Sequence, residues 1–279
     1  ELGGTSGATQ VEVSVKTLNQ AVIELGGIPD ELGSYDIKVM SSLAGVEKMM
    51  SETPLTILVN AYTGLVPYAF TDWYLIGAAV EGGWDNNADT KHQPMFRGGT
   101  NPSIYKFTGY FTQGNFKLIS EKGSWASQLG NAGNNTIEIK DNAGEFTISA
   151  SGYYTFTFNV ETLAYTLVPY NASAASVYSR IGFLGSSRTG SDVGWSGDDS
   201  EMTVSAFSPH VWTLSISLFD GKGKFRANNA WDTNWGGDTE FSGFTGNGAS
   251  GGDIPVAKSK YKIYFNDLDG SYLMLPNQE

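Results

Sequence analysis

The sequence predicts an all-β protein, and three observations support this prediction. Glycine accounts for 35 of the 279 residues and aromatic residues for 13%, whereas charged residues account for only 16%. This composition is typical of many short strands joined by glycine-rich turns. Apolar and polar residues alternate along segments such as 104–111 and 211–218, as in strands with one buried face. A pattern of residues also occurs twice along the chain, which indicates a duplicated β module.

The first 68 residues do not take part in the duplication. Residues 11–15 alternate like a half-buried strand, and residues 17–25 have the pattern of a two-turn helix closed by glycine. Two further strands are predicted at 35–40 and 54–62. Because three or four strands are few for a sandwich, we predict an immunoglobulin-like domain whose first strands lie before residue 1 or are missing.

The duplication is clearest toward the end of each copy. The segments 144–148 and 154–159 reappear as 252–256 and 261–266, and each copy then continues to a Tyr and a Pro at equal spacing. A period of roughly a hundred residues is too long for a solenoid and fits tandem domains.

Upstream positions extend the match between the copies. Gly83-Trp84 corresponds to Gly194-Trp195, and Phe116 between polar neighbours corresponds to Phe225 between two cations. With linkers near 63–70 and 171–176, we predict three domains, namely a spacer domain and two β-sandwich modules of carbohydrate-binding type, at 1–68, 69–170 and 171–279.

Alternation along the strands predicts which side chains face outward. If Phe225 packs inward, its neighbours Lys224 and Arg226 face outward, and by the same reasoning Asn115 and Lys117 face outward in the first copy. These cations precede loops that contain tryptophan. An indole matches the apolar face of a sugar ring, while Lys, Arg or Asn can bind its rim of hydroxyls, and two indoles set at an angle suit a helical glucan. The candidate sugar-binding residues are Trp195, Trp231, Trp235, Lys224, Arg226 and Asn228 in the second repeat, and Trp84, Trp125 and Lys117 in the first.

The alternative for each tryptophan is a place in the core. Trp73 and Trp212 lie in alternating strand patterns, and we assign both to the core. Trp231 and Trp235 have small and polar neighbours, which favours ligand contact for at least one of them. The other three tryptophans remain open between ligand contact and packing. Lys224 and Arg226 would also fit a solvated edge strand.

Several functional classes are disfavoured by the sequence. A formal charge of −12 with no basic run argues against nucleic acid as a partner. There is no cysteine, no apolar stretch long enough for a membrane helix and no cofactor-binding motif. His92 and His210, the two histidines, belong to no catalytic or metal-binding motif and are expected on the surface or as loop anchors. No carboxylate pair recurs in both repeats, so we predict a binding protein rather than an enzyme, without a cofactor or metal.

The order of these parts resembles the SusE/SusF family, the starch-binding surface lipoproteins of Bacteroidetes. The resemblance lies in the motifs at 18–26, 56–62, 74–77, 83–86, 114–117 and 224–228. It implies a spacer domain, tandem carbohydrate-binding modules without catalytic activity, an outer-membrane, cell-surface location through an N-terminal lipidated Cys that this sequence does not contain, and a possible place in a glycan-transport complex. It also maps the family's sugar contacts onto the candidate residues named above.

Two consequences of the resemblance concern the ligand. An α-glucan is favoured, although related proteins bind other polysaccharides. Two other classes stay open, namely a structural or partner-docking protein without a sugar site and a catalytic domain of unfamiliar type. In the first repeat, Asn115 takes the place of the first cation and a single Trp follows Lys117. The first repeat is therefore expected to bind weakly or not at all.

Overall fold

A computed structural model describes residues 2, 11, 13–29, 31–42, 48–62, 66–245 and 251–277. These residues fall into two compact units, one before Val66 and the other from Val66 to Asn277. Nearly all regular structure is antiparallel β-sheet, so the all-β prediction is confirmed. The division into three domains with boundaries at residues 68 and 170 stays a prediction.

The first unit contains one helix and two small sheets. Its elements are α1 (Val15–Glu24), β1 (Leu32–Ile37), β2 (Met40–Ser41), β3 (Met49–Met50) and β4 (Leu55–Asn60). Strand β1 pairs with β4, and β2 pairs with β3. The immunoglobulin-like fold of this unit stays a prediction.

Helix α1 begins two residues before the predicted start. The Ser14 hydroxyl caps it by accepting a hydrogen bond from the Thr17 amide, 3.1 Å away. The strand predicted at 11–15 is wrong, because Val15 is helical and residues 11, 13 and 14 are not in a strand; residue 12 lies outside the described residues. The Asn19 side chain is buried and bonds both backbone groups of Tyr62, at 3.1 Å and 2.9 Å, which holds the helix against the segment after β4.

The first repeat forms a sheet with the strand order β11-β8-β9-β10-β13-β12-β7-β6, to which β5 adds by pairing with β8. Its strands are β5 (Tyr74–Gly77), β6 (Phe96–Arg97), β7 (Ile104–Phe111), β8 (Gly114–Ile119), β9 (Gln128–Gly133), β10 (Thr136–Ile139), β11 (Phe146–Ile148), β12 (Gly152–Asn159) and β13 (Ala164–Pro169). The core between the halves of this curved sheet is aromatic, with Phe116, Phe146 and Phe156 in mutual ring contact.

The second repeat forms two five-stranded sheets. One has the order β15-β14-β18-β19 with β21 also on β18, and the other has the order β16-β17-β22-β23-β20. The strands are β14 (Ile181–Leu184), β15 (Ser200–Glu201), β16 (Thr203–Val204), β17 (Val211–Leu218), β18 (Gly221–Ala227), β19 (Asn234–Trp235), β20 (Ser242–Phe244), β21 (Ile254–Val256), β22 (Ser259–Asn266) and β23 (Ser271–Pro276), with 3₁₀ helices at Ser186–Arg188 and Asp192–Trp195. Trp73 and Trp212 are buried in the cores of their repeats, which confirms their assignment.

Strand pairing corrects the alignment of the two copies by two residues. In the first copy Phe116 lies opposite Gly77, whereas in the second copy Phe225 lies opposite Phe183. Phe183 corresponds to Leu75 and not to Gly77, so Phe225 stands two positions beyond the counterpart of Phe116 on its strand. The position of Phe116 is taken by Gly223, which pairs with Ile254 as Phe116 pairs with Phe146. The predicted match of Phe116 with Phe225 is therefore wrong. Lys117 corresponds to Lys224, and Ile119 corresponds to Arg226.

The volume lost at Gly223 is filled from the neighbouring strand. A Cβ atom on Gly223 would lie 2.0 Å from Cζ of Phe183, whose counterpart in the first repeat is Leu75. The first repeat thus has Phe116 on β8 beside Leu75 on β5, whereas the second repeat has Gly223 on β18 beside Phe183 on β14. Both cores are therefore filled, but the larger side chain comes from β8 in the first repeat and from β14 in the second.

This exchange predicts a coupled pair of mutations. Gly223→Ala is expected to lower the free energy of unfolding by roughly 1–3 kcal/mol, because the new methyl group overlaps the Phe183 ring. Adding Phe183→Leu should remove the overlap, so the double variant is expected to lose less unfolding free energy than the two single variants lose together. Urea denaturation of the four proteins measures this coupling. Additive effects would contradict the proposed exchange.

The two repeats pack directly against each other. Val211, Tyr264 and Leu273 of the second repeat belong to the buried cluster of the first. The Asn266 side-chain amide donates to the Thr108 carbonyl at 2.7 Å, and the Thr108 hydroxyl donates to Asp269 at 2.8 Å. The repeats therefore share part of their core.

The segment before β5 adds a second connection between the repeats. Tyr68 makes an edge-on contact with Phe241 of the second repeat, with ring centroids 5.2 Å apart. Arg97 of the first repeat is 1% exposed, lies 3.9 Å over the Phe70 ring and bonds Asp72 at 3.0 Å. Its Nε and Nη2 atoms are buried without a hydrogen-bond partner. Asp72 thus provides the anionic partner of this buried cation.

Candidate functional site

Two tryptophans of the second repeat form an exposed aromatic surface. The ring centroids of Trp195 and Trp231 are 6.2 Å apart and the ring planes differ by 36°. Trp231 is 48% exposed and Trp195 is half-buried. We call this pair the tryptophan platform. It offers a continuous apolar surface with a bend between its two halves.

Tight loop geometry places both indoles. Trp195 ends a 3₁₀ helix that is tied to β14 by a hydrogen bond from the Gly185 amide to the Gly194 carbonyl, at 3.1 Å. A Cβ atom on Gly194 would lie 2.0 Å from the Gly185 carbonyl oxygen, so this close approach requires glycine. On the other side, Asn228 and Asn229 both have φ of 55°, which turns the chain sharply after β18 and leads to Trp231.

Arg226 lies beneath the platform and holds it together. Its Nε bonds the Asp199 carboxylate at 2.8 and 3.1 Å, its Nη2 donates to the Gly197 carbonyl at 2.9 Å, and its Cζ lies 4.9 Å from the centre of the Trp231 ring. Burial raises the pKa of the Asp199 carboxyl above its ordinary value, although the Arg226 charge acts in the opposite direction. The guanidinium thus joins the Trp195 loop to Trp231.

The position of Arg226 corrects part of the sequence prediction. Its side chain is on the sheet face opposite Phe225, as alternation requires, but it is 5% exposed because the loop at 195–199 covers it. A solvated edge strand is therefore excluded for this residue. Arg226 supports the tryptophans from below and is not at the rim of an open surface.

A double-mutant cycle tests this positioning role. Arg226→Lys keeps the charge but loses the planar guanidinium, and we expect it to weaken binding of a glycan to the tryptophan platform about tenfold. In a Trp231→Ala background, the same change should have a clearly smaller effect on affinity, because only the Trp195 loop is then left for Arg226 to position. Calorimetric titration of the four proteins measures both values. Equal losses in both backgrounds would instead assign Arg226 a direct contact with the sugar.

The remaining candidates of the second repeat lie beside the platform. Lys224 Nζ donates to the Gly251 carbonyl at 2.7 Å and lies 3.4 Å from Asn234 Oδ1, so much of its bonding capacity is already used. Asn228 is exposed, and its Oδ1 accepts a hydrogen bond from the Ser179 hydroxyl at 3.2 Å. Asn234, which the sequence prediction omitted, donates to the Trp231 carbonyl at 3.0 Å. Asn228 is thus the candidate with an exposed polar side chain.

Trp235 is removed from the candidate set. It is 1% exposed and packs against Tyr178 and Phe265, with ring centroids 5.4 and 5.0 Å away. Trp235 lies directly opposite Phe225 in the β18–β19 pair, and residues that face each other in this way point to the same side of a sheet. Pairing therefore turns its indole into the core.

The first repeat has a related but different surface. Trp84 and Trp125 are 40% and 41% exposed, and Lys117 Nζ lies 6.0 Å from the Trp84 ring centre. Lys117 donates to Gln128 at 3.0 Å and to the Ala143 carbonyl at 2.9 Å, which matches the contacts of Lys224. Gln128 in turn donates to the Trp125 carbonyl at 2.8 Å, as Asn234 does to that of Trp231.

The missing part in the first repeat is the arginine. Asn115 corresponds to Lys222 and bonds Glu145 at 2.8 Å, so the prediction that it replaces the first cation is wrong. Ile119, which is fully buried, stands at the position of Arg226. Within the described residues, Trp84 and Trp125 make no ring contact with each other, so no continuous platform forms there.

Both histidines serve as buried anchors. His210 Nδ1 lies 2.6 Å from Asp267, which also accepts a hydrogen bond from the Trp212 indole at 2.7 Å. His92 Nε2 lies 2.7 Å from the Asp85 carbonyl, next to Trp84. Burial lowers the pKa of His92. Of the two expectations for the histidines, the structure thus supports the loop anchor.

Comparisons with known proteins do not test the roles assigned to these residues. No family model and no curated protein matches the chain. The solved structure of SusF from Bacteroides thetaiotaomicron aligns with 95% of this chain and 62% of its own length, with 14% identity and a TM-score of 0.28. The chain thus spans 62% of that protein chain, and at this score the alignment carries no argument about function. Membership of the SusE/SusF family stays a prediction. Among the described residues, no helix is long and apolar enough to cross a membrane.

Proposed function

We propose that this protein is a non-catalytic glycan-binding protein whose main site is the tryptophan platform and whose preferred ligand is starch or another α-glucan. The observation that carries the proposal is the exposed, tilted pair of Trp195 and Trp231 held by a buried Arg226–Asp199 ion pair. An exposed aromatic surface with this much internal support is unusual for a purely structural loop.

The platform suits the two sides of a sugar ring. Each indole can lie against the apolar C–H face of one sugar residue, and the exposed Asn228, three residues before Trp231 in the chain, offers a donor and an acceptor for hydroxyls. A bend of 36° between the rings fits a chain that curves, as α-linked glucans do, better than a flat chain. Each stacking contact contributes about 1 kcal/mol, so the affinity of a single site is modest.

The nearby carboxylates support binding rather than catalysis. Asp199 is occupied by Arg226, and Asp198 accepts a hydrogen bond from the Asn229 side chain at 2.9 Å. A glycosidase needs two carboxyl groups that face the scissile bond and are available for proton transfer or attack. These two acidic groups instead maintain loop structure.

The proposed setting follows from the resemblance described above. It is the cell surface, with a lipid anchor in the outer membrane, where capture of polysaccharide would supply a glycan-transport complex. The first repeat is proposed as a weaker site, because it lacks the arginine and the paired indoles.

Affinity electrophoresis tests the proposed function. The protein is run through native gels containing amylopectin, pullulan, dextran, xylan or mannan, with a non-binding protein as the mobility reference. We expect retardation by amylopectin and pullulan, because both contain curved α-1,4-linked segments. Retardation by xylan or mannan alone would replace the α-glucan with another polysaccharide. Unchanged mobility in every gel, with circular dichroism showing a folded protein, would favour a structural or partner-docking role.

A further inference from the structure

A cleft lies between the two repeats, and neither Trp195 nor Trp231 is among the residues that line it. It is formed by the turn between β6 and β7 on one side and by residues 237–239 with β20 on the other. Its volume is about 350 Å³. This value is near the lower end of the range for small-molecule sites, so the cleft can hold roughly one or two sugar rings.

Close backbone packing fixes the walls of the cleft. A Cβ atom on Gly99 would lie 1.9 Å from the Thr239 hydroxyl, and one on Gly237 or Gly243 would come within 2.8 Å of the Tyr272 side chain. Tyr272 is 1% exposed, and its hydroxyl donates to the Thr239 carbonyl at 2.6 Å. Close packing against Thr239 and Tyr272 therefore holds these walls of the cleft in place.

The side chains in the cleft are suited to a neutral ligand rich in hydroxyl groups. Asp238 is the one charged residue among those that line it, and its carboxylate disfavours an anionic ligand. Thr100 adds a hydroxyl, and Asn101 has an amide NH₂ group that can donate to a ligand, while its Oδ1 accepts from the Ser103 amide at 3.0 Å. Phe244 supplies an apolar wall, and the Lys106 ammonium 4.3 Å over its ring fixes its orientation.

We propose that this cleft is a second glycan-binding site, which takes roughly one or two residues of an uncharged sugar chain. Asp238 and Thr100 bind the ring hydroxyls, and Phe244 contacts the apolar face. The site is built from both repeats and needs their packing, whereas the tryptophan platform belongs to the second repeat alone. The proposal for the cleft does not depend on whether the tryptophan platform binds sugar.

Nuclear magnetic resonance titration of the isotope-labelled protein tests this proposal. Maltotriose, cellotriose, xylotriose and mannotriose are the probes. The backbone amides of Gly98, Gly99, Gly237 and Gly243 report on the cleft, and the indole N–H groups of Trp195 and Trp231 report on the platform. We expect a saturable shift of the glycine amides with at least one trisaccharide. This shift should persist in a Trp195→Ala/Trp231→Ala variant.

Two near-isosteric substitutions supply the matched control. Asp238→Asn and Thr100→Val together remove the carboxylate and one hydroxyl with little change in volume, and should raise the dissociation constant measured at the glycine amides at least about tenfold. The indole shifts should not change. Glycine amides that do not move with any of the probes, or whose response is the same in the Asp238→Asn/Thr100→Val variant, would overturn the cleft site. If the glycine amides shift but the indole N–H groups of the unmutated protein respond to none of the probes, the platform is overturned and the cleft site stands.

Discussion

Replacing Trp231 by alanine is expected to weaken α-glucan binding by about tenfold, and replacing Trp195 as well should remove retardation in an amylopectin gel. Each indole contributes a stacking contact of about 1 kcal/mol or slightly more, and 1.4 kcal/mol corresponds to a factor of ten in affinity. Trp231 is 48% exposed but contacts Trp195 and Arg226, so its loss should lower the free energy of unfolding by only about 1–2 kcal/mol. Calorimetric titration and urea denaturation measure the two effects separately.

Two other tryptophans serve as controls for this prediction. Trp125→Ala removes an equally exposed indole from the first repeat, and it should leave most of the affinity intact if the main site is the platform. Trp235→Ala empties a position in the core, so it should lower stability by about 3–5 kcal/mol. A platform variant that loses stability without losing glycan affinity would contradict the assignment of Trp231 to the surface that binds sugar.

Replacing Asp72 by alanine is expected to lower the free energy of unfolding by about 3–5 kcal/mol, because it leaves the charge of Arg97 buried without its partner. Arg97 already has two buried nitrogen atoms without hydrogen bonds, and the acceptor left to its Nη1 would be the neutral Tyr68 hydroxyl at 3.0 Å. Urea denaturation monitored by tryptophan fluorescence measures the change. An exposed pair, Glu138 with Lys140, provides the reference, and its removal should lower stability far less because solvent screens the interaction.

A second variant separates the loss of the pair from the cost of an uncompensated charge. Burial raises the pKa of Asp72, although Tyr68 and Arg97 act in the opposite direction, which shows that desolvation of this carboxylate is substantial. Converting Arg97 to Met in the Asp72→Ala protein should therefore recover much of the lost stability. If the double variant were less stable than Asp72→Ala, the stacking of Arg97 on Phe70 would be the dominant contribution instead.

Much of the fold could be predicted because it depends on local patterns. The glycine content, the alternation along β7 and β17, and the burial of Trp73 and Trp212 all follow from neighbours in sequence. The Gly83-Trp84 and Gly194-Trp195 turns also correspond as predicted, because each glycine carbonyl accepts a hydrogen bond from the glycine that ends the preceding strand.

The register of the repeats could not be read from the sequence. A shift of two residues leaves the inward and outward faces of a strand unchanged, so Phe116 aligns equally well with Phe225 or with Gly223. The choice depends on Phe183 of the adjacent strand, which fills the space that Phe116 fills in the first repeat. Volume compensation between strands is a tertiary effect.

The candidate site could be predicted only in part, because tertiary contacts also decide which of its residues are exposed. Composition pointed to Trp195 and Trp231, which the structure brings together, but also to Trp235, whose neighbours in sequence are as polar as those of Trp231. The two differ because Trp235 pairs with Phe225 across a strand. The burial of Arg226 depends on a loop almost thirty residues away in sequence, and no local signal indicates it.

The shared packing of the two repeats has a consequence for how such a chain can change over evolutionary time. Duplicated modules are usually deleted, shuffled or multiplied one at a time, because each keeps its own interior. Here Val211, Tyr264 and Leu273 fill space in the other copy, so deletion of either repeat would expose apolar surface on the survivor. The two copies can still diverge in their loops, as their tryptophans have done, but we expect them to be inherited as a pair.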